Sequence, residues 1–84
     1  MKHYKILVTI NGKRKWVALG GMGICWANEN REWMAVIISE NCIKTSKLLD
    51  KQLEGKEYML IPVDDPNQAD GIYMDDYDFL EECP

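Results

Sequence analysis

The sequence predicts an α+β domain: a small twisted antiparallel sheet, or a partly open barrel, of five or six strands with one short helix. Three observations predict this class. Two residue sets alternate between residues 3 and 10, an Asn-Gly pair separates this stretch from a second strand-like stretch at residues 13–19, and a leucine-containing helical pattern lies between residues 45 and 54. Because the chain has 84 residues, we expect a single domain, with residues 1–63 as its core and residues 64–84 as an acidic, partly docked segment.

The first two strands are predicted to form a hairpin around Asn11-Gly12. Asn-Gly accepts the positive φ angles of a type I′ turn, whose twist matches that of the strands, and a two-residue loop determines the register. This register places Leu7 opposite Trp16 on one face. On the other face it predicts two further apolar pairs, Ile6 with Val17 and Tyr4 with Leu19.

A second hairpin is predicted from residues 22–39. Strand three covers residues 22–27, residues 28–31 form the turn, and strand four covers residues 32–39. Trp26 then lies opposite Trp33, either as a cross-strand aromatic pair that stabilises the hairpin or as part of a binding platform.

The helix is predicted to begin at Thr45 or Ser46, which can act as N-caps, and to end at Glu54 before Gly55. Its buried side carries three leucines: Leu48, Leu49 and Leu53. Strand five follows at residues 57–61, and Pro62 marks it as an edge strand or as the end of the strand. A short sixth strand is expected near residues 72–74.

Charge is distributed very unevenly along the chain. Residues 1–57 contain all ten Lys and Arg and six acids, whereas residues 58–84 contain eight acids and no base, which gives +4 and −8 within a net charge of −4. Such asymmetry concerns partners and solubility rather than fold. It favours a basic partner, a divalent cation or the chain's own basic hairpin.

The residue types do not predict an enzyme, a cofactor or a zinc site. His3 is the only histidine, and the three cysteines lack metal-ligand spacing. The composition predicts a cytoplasmic protein without a membrane span. An irregular divalent-cation site in an interaction domain remains an alternative, with oxygen ligands drawn from five aspartates: Asp64, Asp65, Asp70, Asp75 and Asp76.

Acidic and aromatic residues interleave near the C-terminus and predict a surface for a basic, nucleic-acid-binding protein. The predicted partner-binding residues are Asp70, Tyr73, Asp75, Asp76, Tyr77, Asp78, Phe79, Glu81 and Glu82. In length, acidity and lack of catalytic residues, the chain resembles small anti-defence proteins of phages and mobile elements, such as anti-CRISPRs. That resemblance implies a non-catalytic inhibitor that imitates DNA.

Two tryptophan-containing stretches carry a separate resemblance. Trp16-Val17-x-Leu19-Gly20, followed by Cys25-Trp26-Ala27-Asn28 and Trp33, is similar to small β-rich proteins of integrative elements. The similarity covers about a third of the chain and implies no functional residue.

The basic hairpin supports an alternative function, a small β-barrel module that binds nucleic acid. Its candidate contacts are Lys5, Lys13, Arg14, Lys15 and Trp16. The overall negative charge opposes direct binding to a phosphate backbone. We therefore expect the protein-binding function.

Overall fold

A computed structural model describes residues 2–20 and 23–73 and shows an α+β fold in which a curled, open sheet forms a half-barrel. The strands are β1 (His3–Ile10), β2 (Lys13–Gly20), β3 (Gly23–Asn28), β4 (Val36–Ser39), β5 (Glu57–Val63) and β6 (Ile72–Tyr73). The helical elements are a 3-10 helix (Glu32–Met34), α1 (Glu40–Thr45) and α2 (Lys47–Leu53). The predicted fold class is confirmed.

The first hairpin has the predicted two-residue turn. Asn11 and Gly12 adopt φ angles of 53° and 79°, and Leu7 lies opposite Trp16. Trp16 and Val17 belong to different core clusters, so they lie on opposite faces of the sheet, as predicted. Both faces of this hairpin therefore contact apolar residues.

The register predicted beyond Leu7 is wrong. The pairing of β1 with β2 extends from Ile10 to Leu7, and Tyr4 pairs with Ile38 of β4 rather than with Leu19. Leu19 pairs with Ile24 of β3. Because twisted strands diverge along their length, β2 separates from β1 and β4 pairs with the first residues of β1.

Strand β1 lies at the centre of the sheet. One of its edges pairs with β5 over His3 to Thr9, and the other is shared by β2 and β4. Strand β6 pairs with β4 in parallel. The sheet is therefore mixed, whereas the sequence analysis predicted antiparallel pairing.

The predicted second hairpin is also wrong. Residues 32–34 form the 3-10 helix, and β3 pairs with β2, where Trp26 lies opposite Val17. Trp33 is 56% exposed and has no ring contact with Trp26 among the described residues. The indole of Trp16 donates to the Glu29 carbonyl oxygen at 2.9 Å, which holds the connection after β3 against β2.

The helical segment 40–53 contains two short helices, each with a serine N-cap. The Ser39 hydroxyl accepts from the Cys42 amide, and the Ser46 hydroxyl accepts from the Leu49 amide, both at 3.1 Å. The helix predicted from Ser46 is confirmed as α2, whereas α1 was not predicted. Gly55 adopts the expected positive φ of 75°.

Two apolar clusters form the core, one on each face of β1. The larger one contains Ile6, Val8, Val17, Val36, Ile38, Cys42, Leu49 and Leu53. The smaller one contains Leu7, Trp16, Ala18, Ala27 and Ala35. The helices thus cover one face of the sheet, since Leu49 and Leu53 of α2 belong to the larger cluster.

The predicted sixth strand is confirmed at residues 72 and 73. The Ile72 amide donates to the Ala35 carbonyl oxygen at 2.7 Å. Gly71 has a φ of +142°, and a Cβ atom there would lie 2.8 Å from the same oxygen, so glycine allows this close approach. The predicted docking of the chain after residue 73 lies outside the described residues.

Candidate interaction surfaces

Lys5 connects β1 to the 3-10 helix and to the acidic segment. Its side chain is buried, and its ammonium group donates to the Glu32 carboxylate and, at 3.0 Å, to the Asp70 carbonyl oxygen. The same nitrogen lies 5.3 Å from the centre of a Trp16 ring, within the range of a cation–π interaction. An ammonium group is costly to bury without such partners, so these contacts stabilise the buried Lys5. We call them the Lys5 anchor.

The burial of Lys5 and Trp16 corrects the predicted nucleic-acid surface. Trp16 belongs to the smaller core cluster, and its indole nitrogen already donates to Glu29. Neither side chain can therefore stack on a base or contact a phosphate without disrupting the fold. The sequence pattern suggested exposure because lysine is rarely buried unless it is paired, and the pairing partners are distant in the chain.

The other three basic residues of the predicted nucleic-acid surface lie at the tip of the first hairpin. Lys13 and Arg14 are exposed, whereas Lys15 is half-buried and donates to the Asn28 side chain. Arg14 lies 3.7 Å from the Glu29 carboxylate. The groove beside the tip is lined by residues 12–15 and 28–30 and thus contains an acid, which weakens its attraction for phosphate.

The start of the acidic segment forms a turn held by the carboxylate and the carbonyl oxygen of Asp65. The Asp65 carboxylate accepts from the Asn67 amide at 3.0 Å, and the Asp65 carbonyl oxygen accepts from the Gln68 and Ala69 amides. Such a turn is typical of an aspartate that precedes a tight change of direction. It leads the chain to Asp70, where the Lys5 anchor holds the backbone.

Two of the nine predicted partner-binding residues lie in the described part of the chain. Asp70 and Tyr73 are both exposed, and the Tyr73 ring meets His3 edge-on, with 5.3 Å between ring centres. The other seven lie outside the described residues: Asp75, Asp76, Tyr77, Asp78, Phe79, Glu81 and Glu82. The structure thus places the first two at one end of the sheet, beside β4 and the start of β1.

The divalent-cation alternative gains no support from the described residues. Within residues 2–20 and 23–73, no three His, Cys, Asp or Glu side chains are grouped so that they could hold a metal ion. Asp64, Asp65 and Asp70 belong to that part of the chain, whereas Asp75 and Asp76 do not.

Strand β5 forms an exposed apolar surface that the sequence analysis missed. Tyr58, Met59 and Leu60 are consecutive residues with exposed fractions of 48%, 50% and 38%. Consecutive strand residues point to opposite faces, so β5 exposes apolar side chains on both faces. Pro62 indicated an edge strand, but the apolar run before it, residues 58–61, is equally typical of a buried strand. The sequence therefore did not show that these side chains are exposed.

No protein-family model, curated protein or solved structure matches this chain. None of the helices in the described ranges is long and apolar enough to cross a membrane. The function is therefore inferred from the surfaces described above.

Proposed function

We propose that this chain is a non-catalytic inhibitor or regulator that presents an acidic, aromatic-containing surface to a basic, nucleic-acid-binding protein. The surface begins at Asp70 and Tyr73 and continues through the acids and aromatics of residues 75–82. Its carboxylates stand in for a row of phosphates, and its aromatic side chains supply apolar contact area. The anchoring of residues 70–73 to the folded sheet is the observation that carries this proposal.

Three contacts hold the beginning of this surface in place. Lys5 donates to the Asp70 carbonyl oxygen, Ile72 donates to Ala35, and β6 pairs with β4. Because these contacts use backbone atoms of the segment, the Asp70 carboxylate and the Tyr73 ring stay exposed. A binding segment that is attached to a rigid scaffold loses less conformational freedom on association, and this improves affinity.

The distribution of ion pairs supports a partner outside the chain. The ion pairs of the described residues join Lys5 to Glu32, Arg14 to Glu29 and Lys44 to Glu40. None of these pairs uses a carboxylate from the acidic segment, so in the described residues those acids do not neutralise the basic hairpin. Among the described acids, the exposed carboxylates of Asp64, Asp65 and Asp70 can therefore contribute negative charge to the surface proposed for a basic partner.

The proposal is tested by capture from an extract of the native host on immobilised protein. We expect the wild-type chain to capture a basic protein that is released by added duplex DNA and by salt, because exposed charges are screened beyond about 10 Å at 0.1 M ionic strength. Neutralising five acids to Asn or Gln should abolish capture and leave the thermal unfolding unchanged. The five positions are Asp75, Asp76, Asp78, Glu81 and Glu82.

A matched control removes the same number of negative charges elsewhere. Its five positions precede the acidic segment: Glu29, Glu40, Asp50, Glu54 and Glu57. This control should capture the partner as the wild type does. If the variant neutralised after residue 74 binds the partner equally well at low and high salt, the acids only increase solubility and the proposal is wrong. Direct retention of nucleic acid by the wild type would instead favour the hairpin function.

A further inference from the structure

The outer edge of β5 carries backbone groups that the described strands of the sheet do not use. Within the described residues, β5 pairs with β1 alone. An edge strand of this kind is a template for strand addition, and soluble proteins usually protect it with charges. Here Glu57 is the only charged residue of β5, and the three residues that follow it are exposed and apolar.

The register determines which backbone groups point outward. In a hairpin with a two-residue loop, the residues flanking the turn exchange backbone hydrogen bonds, so Ile10 and Val8 bond toward β2. The odd-numbered residues of β1 therefore bond toward β5, where Leu7 lies opposite Met59 and Lys5 lies opposite Ile61. Met59 and Ile61 thus bond toward β1, and the residues between and beside them bond outward.

The outward-facing residues of β5 are Tyr58, Leu60 and Pro62. Proline has no amide hydrogen, and its place at an outward position is the one that an edge strand tolerates. Tyr58 and Leu60 each offer an amide and a carbonyl group to a neighbouring strand. The part of the edge that can both donate and accept is therefore short and centred on Met59.

We propose that this edge joins a second copy of the chain, β5 against β5, in antiparallel register about Met59. Tyr58 of each copy then lies opposite Leu60 of the other, and four backbone hydrogen bonds form without using Pro62. On one face Tyr58 contacts Leu60 of the second copy, and on the other Met59 contacts Met59. Cross-strand aromatic and aliphatic pairs of this kind stabilise a sheet.

A second copy fits this edge because the edge is self-complementary. A two-fold axis through Met59 places Glu57 opposite Ile61 of the second copy, so the two carboxylates do not face each other. A basic strand would meet Glu57 as its single opposite charge on β5, and an acidic strand would meet none. The joined surface involves a few residues from each chain, so the dimer is weak and forms at high concentration.

Sedimentation equilibrium and amide exchange test whether the dimer forms. The mass should rise from 9.7 kDa toward twice that value as the concentration of the full chain increases. The amides of Tyr58 and Leu60 should gain protection over the same range, whereas those of Met59 and Ile61 should be protected throughout. A monomer at every concentration, with or without protection of the Tyr58 and Leu60 amides, overturns the proposal.

Two substitutions distinguish edge pairing from general adhesion. Leu60→Pro removes two of the four intermolecular hydrogen bonds and none of those to β1, so it should weaken the dimer by about tenfold or more. Met59→Lys tests the same edge if Leu60→Pro unfolds. It places the lysine of one chain opposite the lysine of the other, and the two charges repel. Trp33→Lys removes another exposed apolar side chain and should leave dimerisation unchanged. Equal weakening by Trp33→Lys would show that the association is not specific to β5.

Cysteine cross-linking tests the register. In non-hydrogen-bonded antiparallel pairs the Cα atoms lie about 4.5 Å apart, a separation that permits a disulfide. Met59→Cys should therefore form a covalent dimer through residue 59, identified by peptide mapping. Glu57→Cys, on the same face, is the matched control. It should not form a covalent dimer, because four residues separate the two cysteines along the paired strands. Preferential cross-linking at residue 57 would refute this register.

Discussion

Replacing Glu32 by glutamine tests the Lys5 anchor while keeping the size of the side chain. The Lys5 side chain is 7% exposed, and the Glu32 side chain is 43% exposed. The substitution leaves the ammonium group buried with neutral partners, namely the new amide oxygen and the Asp70 carbonyl oxygen. We expect this variant to be less stable than the wild type.

The magnitude follows from the burial of the two partners. Removing one partner of a fully buried ion pair costs about 3–5 kcal/mol, but water reaches Glu32 and the glutamine oxygen can still accept a hydrogen bond. We therefore expect a loss of about 2 kcal/mol in the free energy of unfolding. For a domain of this size such a loss lowers the melting temperature by about 8–16 °C.

Thermal and urea unfolding followed by circular dichroism measure this loss. Glu29→Gln is the matched control, because it removes a carboxylate from the exposed pair with Arg14 and should change the stability by less than about 1 kcal/mol. Adding Lys5→Met to Glu32→Gln removes the unpaired charge and should restore part of the lost stability. If Glu32→Gln melts at the same temperature as Glu29→Gln, Lys5 does not depend on its carboxylate partner and our reasoning about the anchor is wrong.

Three further substitutions test local features of the fold. Gly71→Ala should raise the exchange rate of the Ile72 amide by about 30-fold, since the new Cβ would lie 2.8 Å from the Ala35 carbonyl oxygen. An unchanged exchange rate would contradict this close approach. Gly12→Ala meets no atom within 4 Å, so it should cost only the backbone strain of about 1–2 kcal/mol, and a larger loss of stability in urea unfolding would count against an open turn. Ser46→Ala removes the cap of α2 and should lower the free energy of unfolding by about 1 kcal/mol. A urea midpoint equal to that of the wild type would disprove this expectation.

Local signals predicted the elements whose geometry depends on a few neighbouring residues. Asn11-Gly12 predicted the turn and the placement of Leu7 opposite Trp16, and Ser46 and Gly55 predicted the limits of α2. Turns and caps depend on the φ preferences and side-chain acceptors of the residues that form them.

The tertiary structure alone decided which strands pair beyond the first hairpin and which charged groups are buried. Tyr4 pairs with Ile38 because β2 diverges from β1, and no local signal reports that divergence. Lys5 is buried because Glu32 and the Asp70 carbonyl oxygen, 27 and 65 positions away in the chain, reach its ammonium group. The exposed edge of β5 likewise depends on the absence of a neighbouring strand among the described residues. Alternation and composition describe single segments, whereas pairing and burial depend on which distant segments the folded chain brings together.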